Sequence, residues 1–390
     1  MEDSKISKEQ RALIEKAILN GDAHQLEQFL IAFKDDDFVS QWNEILEAHS
    51  KEAVNFYEKA CAVIAYKHHF NNWPGYKNFK EELNKENSAV ALFEKAIDAV
   101  VEGDIAMLKK LLQQNPELIH VRSVRNHHAT LLNYVGANGV EDFRQKTPLN
   151  AVEVAEILLN AGAEVDAMGD MYRGTTTLGL VATSVHPVEA GVQKELVDVL
   201  VKYGADINHA VAPDYTEGKL ILACLHNGRG EIVEHLAEKG ADFDLEGAAG
   251  TGILDEVKKY YNENGSLKEG TGITKRDSGF MWACGYGRKP VVEFMLDKGF
   301  DVSTITDGMT ALHWAVVGGH VDIIQLLLEY NAPLEIKNSY GGTVLGQALW
   351  FAYNHPRPQY PQIIDLLIKA GAKVEDGWDK YIDEIKSWYA

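Results

Sequence analysis

Three ionisable residues are candidates for acid–base chemistry: Glu141, Asp170 and His186 lie in or beside polar stretches of a largely apolar sequence. A carboxylate and a histidine that converge in a semi-enclosed groove can transfer protons to and from a substrate. The sequence around them shows no nucleophile elbow, phosphate-binding glycine loop or metal-ligand spacing. These residues are therefore alternative catalytic candidates, and solvated polar loops are the competing interpretation.

Aromatic side chains offer a second kind of chemistry, the recognition of a ligand by contact. Their rings provide contact area at low entropic cost and carry polar edges. The competing interpretation is that the tryptophans only fill space between neighbouring helices. The candidate binding residues are Tyr134, Asn138, Arg144, Tyr172, His226, Trp282, Tyr286, Trp314 and Trp350.

Composition restricts the partners that these side chains could meet. Lys and Arg total 38 against 58 Asp and Glu, a formal net charge of −20. Such a field repels phosphate backbones and anionic lipids, so we expect no nucleic-acid or membrane partner and favour a basic protein or peptide. A small molecule is the alternative kind of partner.

Cellular location and redox state follow from the same composition. The three cysteines share no metal-ligand spacing and are expected to be reduced, and no cofactor or metal is predicted. No apolar run approaches the roughly 18 residues of a membrane span, and the chain starts with an acidic, polar segment. We therefore predict a cytoplasmic location.

An internal repeat supplies the elements that position the candidates. Residues 278–301 (SGFMWACGYGRKPVVEFMLDKGFD) overlay residues 310–335 when Gly287 is placed on Gly319, a step of 32 residues. Each unit has a Thr or Ser cap, a first helix of small residues, a glycine, and an apolar-periodic second helix. Second helices with the same ending occur at residues 156–167, 198–208, 234–244 and 365–375.

The period and the segment TALHWAVVGGHVDIIQLLL (310–328) resemble the ankyrin repeat, over roughly residues 95 to 375. The resemblance implies an all-α solenoid of antiparallel helix pairs joined by short hairpin turns. It also implies that His313 braces its turn through hydrogen bonds instead of acting in catalysis. In other units the place of His313 is taken by Asn133, Gly179, Leu222, Met281 and Gly346.

Stacking in register makes side chains at equivalent positions spatial neighbours. Trp282 and Trp314 are therefore predicted to be adjacent, with Tyr134 at the equivalent position of an earlier unit. Glycines close to these large rings predict a hollow in the surface. The two positions one turn farther along hold His226, Gly285, Val317 and Trp350, and then Asn138, Asn227, Tyr286, Gly318 and Phe351.

Three units carry insertions between their first and second helices, at residues 140–150, 185–193 and 352–362. All contain proline, which stiffens a loop, so we interpret them as a wall along one edge of a groove. Tolerated surface insertion is the alternative. Residues 128–193 also resemble a subfamily of bacterial ankyrin-repeat proteins with such insertions and no assigned activity.

The predicted domains are a helical N-terminal cap with a partial repeat (1–92), a repeat domain (93–375) and a C-terminal capping helix (376–390). The glycine-rich segment 271–280 is predicted to be a connection between elements. The favoured function is a non-enzymatic scaffold that binds a protein or peptide through its groove and inserted loops. The alternative is a small-molecule or carbohydrate-acting enzyme or binding protein, with a pocket under the insertions at 140–150 and 185–193.

Overall fold

The computed structural model describes residues 13, 16–17, 56–213, 216–375 and 377–388. The predicted partial repeat at residues 14–30 lies almost wholly outside this part of the chain. The chain divides into two compact units, residues 1–205 and residues 206–390. Both are helical, as the repeat pattern predicts. Among the described residues, no helix is long and apolar enough to cross a membrane.

The first unit consists of short helices joined by tight turns. Its α-helices are α1 Phe56–Lys67, α2 Trp73–Leu83, α3 Ala89–Glu102, α4 Ile105–Gln114, α5 Ala151–Asn160, α6 Thr177–Thr183, α7 His186–Glu189 and α8 Gln193–Lys202. Its 3₁₀ helices are Pro116–His120, Asn133–Gly136, Asp142–Arg144 and Met171–Arg173.

The second unit repeats the helix pair more regularly. Its helices are α9 Leu220–His226, α10 Val233–Glu238, α11 Leu245–Thr251, α12 Leu254–Lys258, α13 Ile273–Gly285, α14 Lys289–Asp297, α15 Ala311–Gly318, α16 Val321–Glu329, α17 Val344–Asn354, α18 Tyr360–Lys369 and α19 Trp378–Ser387. The strands β1 Ile305–Thr306 and β2 Met309–Thr310 pair antiparallel and form the hairpin before α15.

Local sequence explains where the helices begin and end. Helix α3 ends at Gly103, whose φ of 71° is a left-handed conformation that glycine adopts without strain. Asp104 then caps α4, because its side chain accepts a hydrogen bond from the backbone N–H of Met107 at 2.9 Å. The Gly-Asp pair therefore separates two helices.

His313 has the bracing role implied by the resemblance. Its Nδ1 lies 2.8 Å from Oγ1 of Thr310 and accepts the backbone N–H of Thr310 at 3.3 Å. Its Nε2 lies 3.4 Å from the carbonyl oxygen of Gly342, and burial lowers the pKa of the ring. Asn133 replaces it in the first unit, where its Oδ1 accepts the backbone N–H of Thr130 at 2.9 Å.

The segment 271–280 differs from the prediction, because most of it is helical. Helix α13 starts at Ile273. Its polar first turns are held by ion pairs: Lys275 Nζ lies 2.8 Å from Glu217 and 2.7 Å from Asp244, and Arg276 lies 2.6 Å from Asp277. Charged residues that looked like a loop in the sequence therefore extend a helix.

The stretches 140–150 and 185–193 lie between the first and second helical segments of their units. The insertion at 140–150 contains the 3₁₀ helix Asp142–Arg144, and that at 185–193 contains α7. The insertion at 352–362 is shortened to a brief loop, because α17 continues to Asn354 and α18 begins at Tyr360. The first helix of the unit at 130–160 is reduced to the 3₁₀ helix Asn133–Gly136.

Candidate functional site

A row of aromatic side chains lies along the helices α9, α13 and α15 of the second unit. The ring of His226 lies 4.9 Å from Trp282, and Trp282 lies 5.1 Å from Trp314. The ring of Tyr286 is 6.0 Å from that of Trp282. We call these four residues the aromatic row. Its central pair confirms the contact that the 32-residue period predicts.

The four residues of the aromatic row differ in burial: Trp282 is buried, and the other three side chains are more exposed. Trp282 is only 7% exposed, and its Nε1 donates a hydrogen bond to Oε1 of Glu246 at 2.8 Å. Tyr286 is half-buried, and its hydroxyl donates to the carbonyl of Leu225 at 2.5 Å. His226 is exposed and Trp314 is half-buried. Trp282 therefore positions its neighbours, which carry most of the accessible ring surface.

The hollow predicted beside the glycines is filled. A Cβ placed on Gly285 would lie 3.4 Å from a ring carbon of Trp314, so this ring packs directly over the glycine. A Cβ on Gly318 would come within 2.3 Å of the carbonyl oxygen of Gly285. The small residues thus allow the first helices to approach closely, and they leave no cavity at these two positions.

The two tryptophans of the row should respond differently to loss of the indole N–H. Trp282→Phe removes the hydrogen bond to half-buried Glu246 and is expected to cost about 1–2 kcal/mol of unfolding free energy. Nε1 of Trp314 is buried without an acceptor among the described residues, so Trp314→Phe also removes an unsatisfied donor and should cost less. Urea denaturation of both variants tests this order, and equal losses would contradict it.

Trp350 is 54% exposed on α17, where its ring contacts Phe351 at 5.0 Å and His355 at 5.5 Å. Its ring is thus accessible from solvent. His355 and Arg357 on the third insertion are also exposed.

The first unit contains a cluster of buried charges, which we call the charge cluster: Glu94, Arg125, Glu141 and Arg144. Arg125 binds both carboxylate oxygens of Glu94, at 2.5 and 3.0 Å, and its Nε lies 2.6 Å from Oε1 of Glu141. Arg144 donates to Glu94 at 2.7 Å and also reaches exposed Asp98 at 2.6 Å. The cluster holds two positive and two negative side chains, so its charges balance.

Glu141 is the centre of this cluster and is not placed to act as a general base. Its side chain is 2% exposed and also contacts Nε2 of His127 and the hydroxyl of Tyr134, each at 3.3 Å. Burial alone would raise the pKa of Glu141. The hydrogen bond from His127 and the charges of Arg125 and Arg144 outweigh burial and lower this pKa to about 2.

Two expected binding residues are corrected by the same geometry. Tyr134 is 1% exposed, and burial together with the charge of Glu141 raises the pKa of its hydroxyl well above the ordinary value. Arg144 is also buried. Glu141 of the first insertion contacts the hydroxyl of Tyr134, and both Tyr134 and Arg144 are buried, so neither side chain is accessible to a ligand.

The remaining acid–base candidates do not converge. Asp170 is exposed and lies 2.6 Å from Nδ1 of His128, and His186 lies 3.9 Å from Glu189. In the described part of the chain, Glu141, Asp170 and His186 each pair with a different residue and form no ion pair with one another. The predicted constellation for acid–base catalysis is therefore not formed.

Asn138 and Tyr172, two further candidates, are brought together. The hydroxyl of Tyr172 donates to Oδ1 of Asn138 at 2.7 Å, and the tyrosine is 58% exposed. Tyr172 has a φ of 51°, a left-handed conformation that is uncommon outside glycine. This pair lies on the surface beside the first insertion.

Sequence reasoning missed Glu94, Arg125, His127 and Glu246. Glu94 had a detectable signal, because it lies on the face of α3 that also carries Ile97 and Val101, both buried. The other three lie in irregular segments or short helices, where spacing gives no such signal. Among the described residues, no group of three His, Cys, Asp or Glu side chains is placed to hold a metal ion.

Comparisons with known proteins agree with the repeat geometry. A family model described as ankyrin repeats (3 copies) matches residues 248–338 and 280–377. The ankyrin repeat and KH domain-containing protein mask-1 of Caenorhabditis elegans is 28% identical over 77% of this chain and 11% of that protein. Inversin of Gallus gallus is 42% identical over 18% of this chain and 6% of its own length.

The chain thus spans only about a tenth or less of the length of these curated relatives. They are animal proteins, so they lend no support to the expected bacterial origin. Among solved structures, the human ASB11 ankyrin repeat domain is 20% identical, with a TM-score of 0.38 over 72% of this chain and 99% of that chain. The family match covers residues 248–377, about a third of the chain, and the bracing contacts of His313 within this range agree with it.

Proposed function

We propose that the chain is a non-enzymatic recognition scaffold that binds a protein or peptide through the aromatic row. Ankyrin-repeat proteins generally act as protein-interaction scaffolds. The observation that carries the proposal is the continuous contact from His226 through Trp282 to Trp314, with accessible rings on either side of a buried anchor. Buried aromatic anchors surrounded by accessible rings are typical of protein-binding hot spots.

Rigid presentation of the rings supports this function. The hydrogen bonds from Trp282 to Glu246 and from Tyr286 to the Leu225 carbonyl fix two rings of the row before any partner arrives. Side chains that are already fixed lose little conformational entropy on association. The ordering cost then falls mainly on the partner.

Charge favours a basic partner. The row borders Glu246, whose pKa is raised by burial and by the nearby charges of Asp244 and Asp307. A cationic side chain placed beside this carboxyl would stabilise its ionised form, and the net charge of −20 would speed the encounter. Trp350, in the same unit, is an exposed candidate for an additional contact. Asn138 and Tyr172 lie in the first unit and are separate candidates for binding.

The test is affinity purification from the native host with the wild-type chain and a His226→Ala/Trp314→Ala variant. Loss of two contact side chains is expected to reduce recovery of each specific partner at least about ten-fold. Tyr330→Ala, which changes an exposed ring just after α16, is the matched control and should retain the partners. If the double variant melts cooperatively and still recovers every partner, the aromatic row is not the binding surface.

A further inference from the structure

A pocket of about 230 Å³ opens between α17 and α19, and no part of the proposed protein-binding row lines it. Trp350 and Tyr353 contribute rings from α17, and Trp378 and Tyr381 contribute rings from α19. Leu349 and Ile385 complete its apolar lining. We call this site the C-terminal pocket.

The sequence places these rings on two facing helix surfaces. Residues 350 and 353 are three apart on α17, and residues 378, 381 and 385 follow at three- and four-residue intervals on α19. Ile382 and Ile385 are buried and anchor α19 to the unit, while Trp378 packs against Gly346 on α17. Helix α19 therefore fixes one side of the pocket and α17 fixes the other.

Three of the four rings remain more than half exposed: Trp350 at 54%, Tyr353 at 57% and Tyr381 at 55%. Rings this exposed are accessible to a ligand. No Lys, Arg, Asp or Glu side chain is among the lining residues. The amide of Asn354, the polar side chain in the lining, donates to the carbonyl of Trp350 at 2.9 Å and so is engaged within its own helix.

Electron-rich ring faces select for a cation. Trp and Tyr rings attract an ammonium group placed within about 6 Å of the ring centroid. Helix α19 carries three acidic side chains, Asp379, Asp383 and Glu384, against two basic ones, Lys380 and Lys386, so a small negative charge remains beside the rings' own attraction. A primary ammonium would keep its hydration shell, whereas a methylated ammonium contacts apolar walls without leaving hydrogen-bond donors unsatisfied.

We propose that the C-terminal pocket binds a small quaternary ammonium compound of the choline type. The volume of about 230 Å³ lies below the roughly 300–1,000 Å³ of pockets for drug-sized ligands, which suits a compact ion. The trimethylammonium group contacts the four rings, and the polar end of the ligand points to solvent at the open side.

The experiment is isothermal titration of the full chain with tetramethylammonium chloride and with choline chloride, at constant ionic strength. Cation–π contacts with partly exposed rings predict a Kd of about 1 mM. The neutral isostere 3,3-dimethylbutan-1-ol has the same shape without the charge and should bind about ten-fold more weakly. Equal binding of the cation and the neutral isostere would overturn the proposal.

Variants assign the binding to this pocket. Tyr381→Leu keeps an apolar side chain but removes one ring, and should weaken choline binding about five-fold. Tyr340→Leu changes a ring that is 90% exposed outside the pocket and should leave choline binding unchanged. Unchanged affinity in Tyr381→Leu would overturn the assignment. The aromatic row is intact in both variants, so this result is independent of the protein-binding test.

Two further arms identify the source of the quaternary group. Binding to phosphatidylcholine vesicles at the affinity seen for free choline would support the pocket and assign it to a lipid headgroup. Selective binding of Nε-trimethyllysine over choline would assign the pocket to a protein side chain and overturn the small-molecule proposal.

Discussion

Replacing Arg125 with methionine is expected to lower the free energy of unfolding of the first unit by about 3–5 kcal/mol. The guanidinium is 4% exposed, binds both oxygens of Glu94 and lies 2.6 Å from Glu141. Without it, two buried carboxylates share Arg144 as their remaining cationic partner in the charge cluster. An unpaired buried charge costs far more than the pair contributes, because it has lost its hydration without compensation.

Hydrogen–deuterium exchange in a urea series, read on peptides from residues 89–144, measures this loss in the first unit alone. Lys146→Met is the matched control, since Lys146 pairs with Glu102 on the surface and an exposed pair contributes about 0–1 kcal/mol. Similar exchange in the two single variants would contradict the prediction.

A double variant, Arg125→Met/Glu141→Leu, separates the loss of a charge partner from the loss of packing. It removes one charge of each sign and leaves Glu94 paired with Arg144 at 2.7 Å. Replacing a buried ion pair with apolar side chains is often neutral or stabilising. The double variant is therefore expected to recover much of the stability lost in Arg125→Met.

The regular repeats could be predicted from the sequence because their spacing alone determines which side chains meet. Gly287 and Gly319 fixed a 32-residue period, and this placed Trp282 beside Trp314, 5.1 Å away. Capping followed from residue type in the same way, as with Thr310, which caps its helix together with His313. Where the units have the same length, residues at equivalent positions in the sequence are also neighbours in the packed structure.

The charge cluster could not be predicted, because its members come from segments outside the period. Glu94 is on a helix, Arg125 is in a turn and Glu141 is in an insertion, and no spacing links them. The sequence identified Glu141 as a catalytic candidate and Arg144 as a binding candidate. It could not show that the insertion buries both side chains. Burial reversed the expected role of Glu141 from proton transfer to structural support.

Titration of Glu141 should make the first unit sensitive to acid. The pKa of Glu141 is about 2 in the folded chain and 4.5 in its ordinary state, so the unfolded chain takes up the proton first as pH falls. The stabilisation is therefore complete above about pH 4.5 and is lost as the pH falls toward 2. Its size is on the order of 3 kcal/mol, since one unit of pKa shift corresponds to about 1.4 kcal/mol.

Glu141→Gln, which cannot take up this proton, isolates the effect from all other carboxylates. The stability difference between wild type and Glu141→Gln, measured by urea denaturation, is expected to shrink by roughly 2 kcal/mol between pH 6 and pH 3. Glu117→Gln changes an exposed carboxylate in the same unit and controls for the change in net charge. A wild-type advantage that stays constant over this range would mean that His127, Arg125 and Arg144 do not hold Glu141 in its ionised form.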